Sequence, residues 1–388
     1  METEDAMTSE KQLRLFSPAK IAAYIGIIVL VLPWVKDRIM SSNQLSTLYL
    51  FACGFLFCYV LIPFAVRAGR KFDLIDEPDS DRKHHAQATP LTGGLAIYAA
   101  FALCILINFQ FSVQMKAILV GSSIIFFVGL LDDRFSLPAW VRLVAQLAAA
   151  LLLVFFEVRV SFVPDWLGGV YVETIITLLW LIGITNSMNF IDGMDGIAAG
   201  TSIIYSIFFF IIALISHQFY LMFLAIALTG SSLGFFVYNF RPKKHALIFL
   251  GDSGATFLGF LLASFAIMGD WGMDSITDIL IPVLIMSVLI FDMTLTTIVR
   301  IAGGEVKSFG QWLAYTGRDH VHHRLLTLGF PKSAAALIFF AVSISFGLEA
   351  VVMYLAPTRL SLTILAHSII AFIIIGFILA AKTNGKGQ

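Results

Sequence analysis

The sequence predicts an all-α, polytopic transmembrane helix bundle, and three observations carry that fold class. Hydrophobic residues make up 59% of the 388 positions and charged residues only 13%, with a mean hydropathy of +0.90. That is far more apolar than a water-soluble domain. The apolar residues gather into runs long enough to cross a bilayer as helix. Between the runs, loops rich in Lys and Arg alternate with loops that lack them, as expected of a chain threaded back and forth through a membrane.

About eleven runs qualify, over 46–66, 92–109, 115–131, 139–157, 170–187, 197–215, 219–238, 254–269, 277–299, 333–354 and 360–381. Ahead of them Ile21 to Val35 forms a further apolar stretch that is short for a span. It either crosses with tilt or local thinning, or lies along the interface. Residues 1–40 are therefore read as an N-terminal segment with a candidate extra membrane helix, and 41–388 as the polytopic domain. Pro33, Trp34 and Lys36, rather than a small-residue cleavage site, follow the stretch, which argues against a removed signal peptide.

Charge fixes the expected orientation. Arg67, Arg70, Lys71, Arg82 and Lys83 share one loop, Arg241, Lys243 and Lys244 a second, and Arg300, Lys307, Arg318, Arg324 and Lys332 a third; these belong in the cytoplasm by the positive-inside rule. The intervening loops carry Lys116 alone, then Glu157, Arg159 and Asp165, then His217, then Asp270, Asp274 and Asp278, and belong outside. The net charge of zero points to no nucleic-acid partner. Cys53, Cys58 and Cys104 fall within apolar runs and form neither a disulfide framework nor a metal spacing.

Against this background the positions of five acids stand out. Asp132, Asp133, Asp192, Asp195 and Asp252 all lie at the ends of apolar runs, and all on the face assigned to the cytoplasm. Carboxylates beside hydrocarbon are costly unless they pair, face water or hold a metal. The adjacent Asp132 and Asp133 could act as metal ligand and base, or nucleophile and helper; the plainer reading is a solvated helix stop with Arg134 as partner. Asn186-Ser187-Met188-Asn189-Phe190-Ile191-Asp192-Gly193-Met194-Asp195-Gly196 is a poor helix but a good oxygen-rich turn, suited to Mg²⁺, which takes hard oxygen ligands and keeps places for water and phosphate.

Phe249-Leu250-Gly251-Asp252-Ser253-Gly254 places a glycine-flanked acid where the next run begins, a good seat for a metal-bridged phosphate or simply an N-cap aspartate. Gly317-Arg318-Asp319-His320-Val321-His322-His323-Arg324 reads as a metal site or a phosphate clamp, and its arginines favour the clamp. An acidic, oxygen-rich site beside a basic, histidine-rich one suits phosphoryl transfer.

In these motifs, and in Arg82-Lys83-His84-His85 leading to Pro90 and Gly93-Gly94, the chain resembles the polyprenyl-phosphate N-acetylhexosamine-1-phosphate transferases. The match covers roughly residues 45–330 in motif order, and His-x-His-His points to the WecA/TagO-like branch rather than the muropeptide-transferring MraY branch. The resemblance implies transfer of a sugar-1-phosphate from a UDP-N-acetylhexosamine to undecaprenyl phosphate, with release of UMP, at the cytoplasmic face of a bacterial inner membrane. N-Acetylglucosamine is the expected sugar, cell-envelope glycan the expected product line, and a homodimer an open arrangement.

By the same resemblance Asp252 binds Mg²⁺, or Mn²⁺ in its place, with Asn189 as second ligand, while Asp132 and Asp133 are catalytic. Lys83 contacts phosphate, Asp192, Asp195 and Phe249 lie near the nucleotide, Asn239 matches a recurring asparagine, and Arg318, His320, His322, His323 and Arg324 bind the sugar diphosphate. One departure is Gly317, where the family often has an acid; Asp319 follows the arginine instead. The alternative is a transporter or flippase for a lipid-linked or anionic substrate, which would place acids near mid-span and repeat its halves. Asp292, two turns inside a span, is expected to bond between helices, and Glu349 to snorkel or pair.

Overall fold

A computed structural model of the protein describes residues 13–77, 88–108, 111–242, 244–272, 274–308, 310–311, 317 and 319–381. It is a bundle of helices with a single two-stranded ribbon among the described residues, β1 (Ile75–Asp76) against β2 (Thr89–Pro90). Eight helices are long and apolar enough to cross a membrane, or up to ten if two bent pairs count as spans. The protein is thus a multi-pass membrane protein.

The chain enters through α1 (Pro18–Val31) and α2 (Pro33–Met40), bent by 72° at Leu32. The 21–35 stretch is thus a bent pair rather than one helix: α1 and α2 both contact α3 (Asn43–Lys71), and the chain changes direction where proline cannot continue the hydrogen-bond ladder. Lys20 anchors the pair, since its ammonium donates to the Tyr59 carbonyl and sits 3.8 Å from the centre of the Tyr59 ring. Next come α4 (Gly93–Asn108), α5 (Val113–Phe135), α6 (Ala139–Phe155), α7 (Gly169–Ile191), α8 (Ile197–Ile215) and α9 (Phe219–Asn239). Each matches one predicted run, although α4 and α6 are short for a span.

The run expected over 277–299 is not one straight helix. It is α11 (Ser275–Ile285) and α12 (Ser287–Ala302), bent by 74° at Met286. Pro282 removes one backbone donor a turn before the break, and the freed geometry is closed by Met286 N donating to the Pro282 carbonyl at 3.0 Å. A short α13 (Val321–Thr327), then α14 (Lys332–Leu355) and α15 (Thr358–Ala381), complete the fold.

At the centre is α10 (Gly251–Met268), whose most apolar stretch is 83% buried, against 17% for α15 at the periphery. Its neighbours come close because small residues face one another, as helix pairs in lipid require. A Cβ built on Gly94 of α4 would lie 2.4 Å from Gly254 Cα, one on Gly129 of α5 would lie 2.6 Å from Ser253 Cα, and one on Gly259 would lie 2.9 Å from Thr185 Cα of α7. Helices 4, 5 and 7 are thereby held against the first half of α10. Replacing Gly94 by Val should lower the unfolding temperature in detergent, by an overpacking cost of about 1–3 kcal/mol. Gly183→Ala, with no atom within 4 Å of its Cβ, should leave it unchanged or raise it.

Candidate active site

The five acids gather where α5 and α7 end and α10 begins. Asp133, in the last turn of α5, accepts from Asp252 N at 2.7 Å and from Ser253 N at 3.1 Å. Its two oxygens therefore satisfy the free donors of another helix's first turn. Asp252 is not the N-cap residue itself; it sits inside that turn, so its carboxylate is left for other partners. Gly251 has φ +75°, and a Cβ there would lie 2.5 Å from the Leu91 carbonyl and 2.7 Å from Asp133 Oδ2. Only glycine fits between the cap and the 91 strand end.

Asp132 points the other way. Its Oδ1 accepts from Leu137 N at 2.6 Å, and its Oδ2 from Arg142 Nη1 at 2.8 Å. The same Arg142 atom lies 3.5 Å from Asp252 Oδ2, so one guanidinium of α6 ties acids of α5 and α10 together. Asn189 Nδ2 donates to Asp252 Oδ1 at 2.9 Å, leaving its own carbonyl oxygen as a ligand atom. Asn186 is braced by a reciprocal pair with Gln146 of α6, at 2.7 and 3.3 Å. Asn239 ties the following turn, accepting from Gly196 N at 2.7 Å and donating to the Ile248 carbonyl at 2.9 Å.

A cavity of about 530 Å³ has Asp132, Asp133, Asp192, Asp195, Asn239, Phe249, Asp252 and His323 on its wall. Burial pushes the Asp192 carboxyl well above the usual carboxylate range, and the charges of Asp252, Asp133 and Asp195 push it further. A narrow cleft of about 20 Å³ adjoins the chamber, with Ile125 and Val128 of α5, Ala145 of α6 and Arg142 on its wall. Asp132 and Asp252 line both.

The histidine segment is held from α12. Asp292 accepts from Val321 N at 2.6 Å and pairs with His320 Nδ1 at 2.6 Å, while Arg300 grips Asp319 with two 2.7 Å bonds. Burial alone would raise Asp319, but the Arg300 bonds outweigh it and hold the carboxyl below its usual range. Phe190 stacks on His320 with centroids 5.1 Å apart, and Arg324 Nε donates to the Asp319 carbonyl at 2.6 Å.

His322 is fully buried against the Asp192 turn: a Cβ on Gly193 would lie 2.4 Å from its Nε2. Neither of its ring nitrogens has a partner among the described residues. Burial, and then the neighbouring His323 and His320, hold its pKa well below the usual value, so the ring is neutral.

Of the predicted site residues, His320, His322 and Arg324 are buried behind the chamber wall, Asn189 lines the cleft, and Lys83 and Arg318 lie outside the described residues. Arg134 is not the partner of the aspartate pair; it bonds Asp73 at 3.1 Å, and Arg142 takes that place. Arg142 and Gln146 were not picked out from sequence, although a lone Arg and Gln one turn apart on an otherwise apolar helix were the available signal. Asp292 bonds between elements as expected, and Glu349 pairs with His367 at 3.0 Å and with Ser368. Among the described residues no three His, Cys, Asp or Glu side chains converge into a ready-made metal site.

The fold and site define a multi-pass membrane bundle with, among the described residues, an acid-lined chamber at the seam of its central helices. Residues 115–270 match the glycosyl transferase family 4 model. The chain is 32% identical, over 84% of its length and 90% of the relative's, to a probable undecaprenyl-phosphate N-acetylglucosaminyl 1-phosphate transferase of Bacillus subtilis. It is 31% identical to a decaprenyl-phosphate N-acetylglucosaminephosphotransferase of Mycolicibacterium smegmatis, covering 67% of this chain and 70% of that one. An undecaprenyl-phosphate alpha-N-acetylglucosaminyl 1-phosphate transferase of Escherichia coli O157:H7 is 24% identical, over 87% and 90%. The chain belongs to glycosyl transferase family 4.

Two outcomes follow from this geometry. Asp133→Ala should destabilise the protein by about 1–2 kcal/mol through loss of the α10 cap, with Asp133→Asn recovering part of it, read by thermal unfolding in detergent. Because the folded pKa of His322 is depressed, the unfolded chain takes up the proton first as pH falls. Its contribution to stability is complete above about pH 6.5 and lost below it, by up to about 1.4 kcal/mol per pH unit. Unfolding temperatures measured across that range should show the slope, and His322→Gln should flatten it.

Proposed function

We propose that the protein transfers N-acetylglucosamine-1-phosphate from UDP-N-acetylglucosamine to undecaprenyl phosphate, releasing UMP and starting a lipid-linked cell-envelope glycan. The observation that carries this reading is the seam: Asp132 and Asp252 line both a roomy polar chamber and a narrow cleft walled by Ile125 and Val128 of α5 and by Arg142, Ala145 and Gln146 of α6. A water-soluble, negatively charged donor suits the chamber, and Arg142, on the cleft wall beside Asp132 and Asp252, is placed to meet a phosphate borne by the bilayer. The names of the relatives supply the acceptor class and the sugar.

In the proposed reaction an oxygen of the lipid phosphate attacks the phosphorus bonded to the sugar. The bond between the two phosphorus centres' bridging oxygen and that phosphorus breaks, and UMP departs with the bridging oxygen. Mg²⁺, when bound, supplies neutralisation of the diphosphate charge. The residues fit such an ion: Asp252 and the Asn189 carbonyl are hard oxygen ligands, and Asp192 is crowded by like charges that a cation relieves.

Arg142 is placed to balance Asp132 and Asp252 and to offer its remaining donors to phosphate. Phe249 on the chamber wall offers a face to uracil, and Asp195 and His323 border the same space. The basic residues Arg67, Arg70, Lys71, Arg134, Arg241 and Lys244 lie at or just beyond the C-terminal ends of α3, α5 and α9, and Asp132 and Asp133 lie at that same end of α5, which supports a cytoplasmic active site.

Purified protein given Mg²⁺, UDP-N-acetylglucosamine and undecaprenyl phosphate should release UMP, and chelation should stop it. Asp252→Ala should cut the rate by about 10³-fold; undiminished release would remove Asp252 from the site. Arg142→Ala should lower kcat by about 10²–10³-fold, the cost of losing one charge-stabilising donor, with its unfolding temperature checked in parallel.

A further inference from the structure

A second cavity, of about 320 Å³, opens at the other end of the bundle, bounded by the 158–163 loop, α7, the end of α10 and α11. The α10 helix separates it from Asp252 by about 25 Å, at 1.5 Å of rise per residue. It is therefore no part of the acid-lined chamber. Its lining is mixed: Arg159 and Asp278 are charged, whereas Ile279 and Val283 of α11 and Ile176 and Trp180 of α7 are apolar. Ser275, Asp278, Ile279, Pro282 and Val283 follow i, i+3, i+4, i+7, i+8 spacing, so one face of α11 lines the cavity, polar where the helix begins and apolar beyond.

Three charged residues line the cavity, Arg159, Asp270 and Asp278, and Arg159 and Asp278 each keep unused bonding capacity. Arg159 Nε is buried without a hydrogen-bond acceptor; it is ion-paired at 3.6 Å with Glu173, whose other oxygen accepts from Val163 N. Asp278 accepts from Trp271 N and Gly272 N through Oδ1 alone, leaving Oδ2 without a partner among the described residues. A cation and an anion with open valences, set over an apolar slot at a membrane-facing end, complement a zwitterionic amphiphile.

We propose that this cavity is a binding site for a glycerophospholipid with a phosphate–ammonium headgroup. The phosphate meets Arg159, the ammonium meets Asp278, and an acyl chain lies between α7 and α11. A free phosphate would leave the slot empty and the acid unmatched. The site is independent of the transferase reading, because it uses none of the chamber residues.

The test is native mass spectrometry of the full chain in mild detergent, equilibrated with equal amounts of phosphatidylethanolamine and phosphatidylglycerol. One phosphatidylethanolamine should be retained per protein, about fivefold over phosphatidylglycerol, the scale of a partly exposed ion pair. Ile279→Trp, which fills the slot, should reduce its retention to the phosphatidylglycerol level. Arg159→Gln, at the rim, should reduce it about fivefold. Both variants should keep the parent unfolding temperature, and a folded variant of either kind serves the test. Equal retention of the two lipids, or retention unmoved in a folded variant, would overturn the proposal. So would displacement of the lipid by glycerophosphoethanolamine, which has the headgroup and no tails.

Discussion

The first turn of α10 is seated by a carboxylate from another helix, and the rest of the site takes its position from that contact. Asp133 of α5 receives the amides of Asp252 and Ser253, while Gly94, Gly129 and Gly259 let α4, α5 and α7 close on the same helix. Glycine packing alone would leave α10 free to slide in lipid, where no hydrophobic force between helices resists it. A charged cap with two amide partners fixes register along the axis. Once α10 is fixed, Asp252, Asn189 and Arg142 fall within bonding distance without further adjustment.

The second constraint is charge. Asp132, Asp133, Asp192, Asp195 and Asp252 share one chamber, and Arg142 is the cation that touches two of them. Such crowding is unfavourable in the absence of a substrate or ion, since like charges near hydrocarbon are poorly screened. The histidine segment adds no charge at its buried point, because His322 is neutral and packed on Gly193. Its neighbour His320 is held by Asp292, and Asp319 by Arg300. α12 therefore serves as the support that holds residues 319–321 in place.

Much of this was legible in the residues, and what was hidden had physical reasons. Hydropathy reports length and composition, so every predicted run corresponds to a helix or a bent pair. It does not report direction within a run, so the breaks at Leu32 and Met286 were invisible except through Pro33 and Pro282, and proline also sits unbroken inside α3 at position 63. The acids were found because isolated carboxylates beside hydrocarbon are conspicuous. Arg142 was not, because a single arginine opening an apolar helix reads as a snorkelling side chain. The capping role of Asp133 lay further out of reach, since an N-cap is ordinarily sought in the residues just before its own helix.

The division of the chamber also bears on why two carboxylates are adjacent in sequence. Consecutive residues at a helix end project about 100° apart, so Asp133 can face the amides of α10 while Asp132 faces Arg142 and the cleft. Asp133 gives both oxygens to the amides of α10, and Asp132 gives its own to Leu137 N and to Arg142 beside the seam. In the proposed reaction this places Asp132 and Asp252, rather than Asp133, next to the path along which a bilayer-borne phosphate would meet the donor. An adjacent pair would then be retained because one helix end has to anchor α10 and serve the chemistry at once.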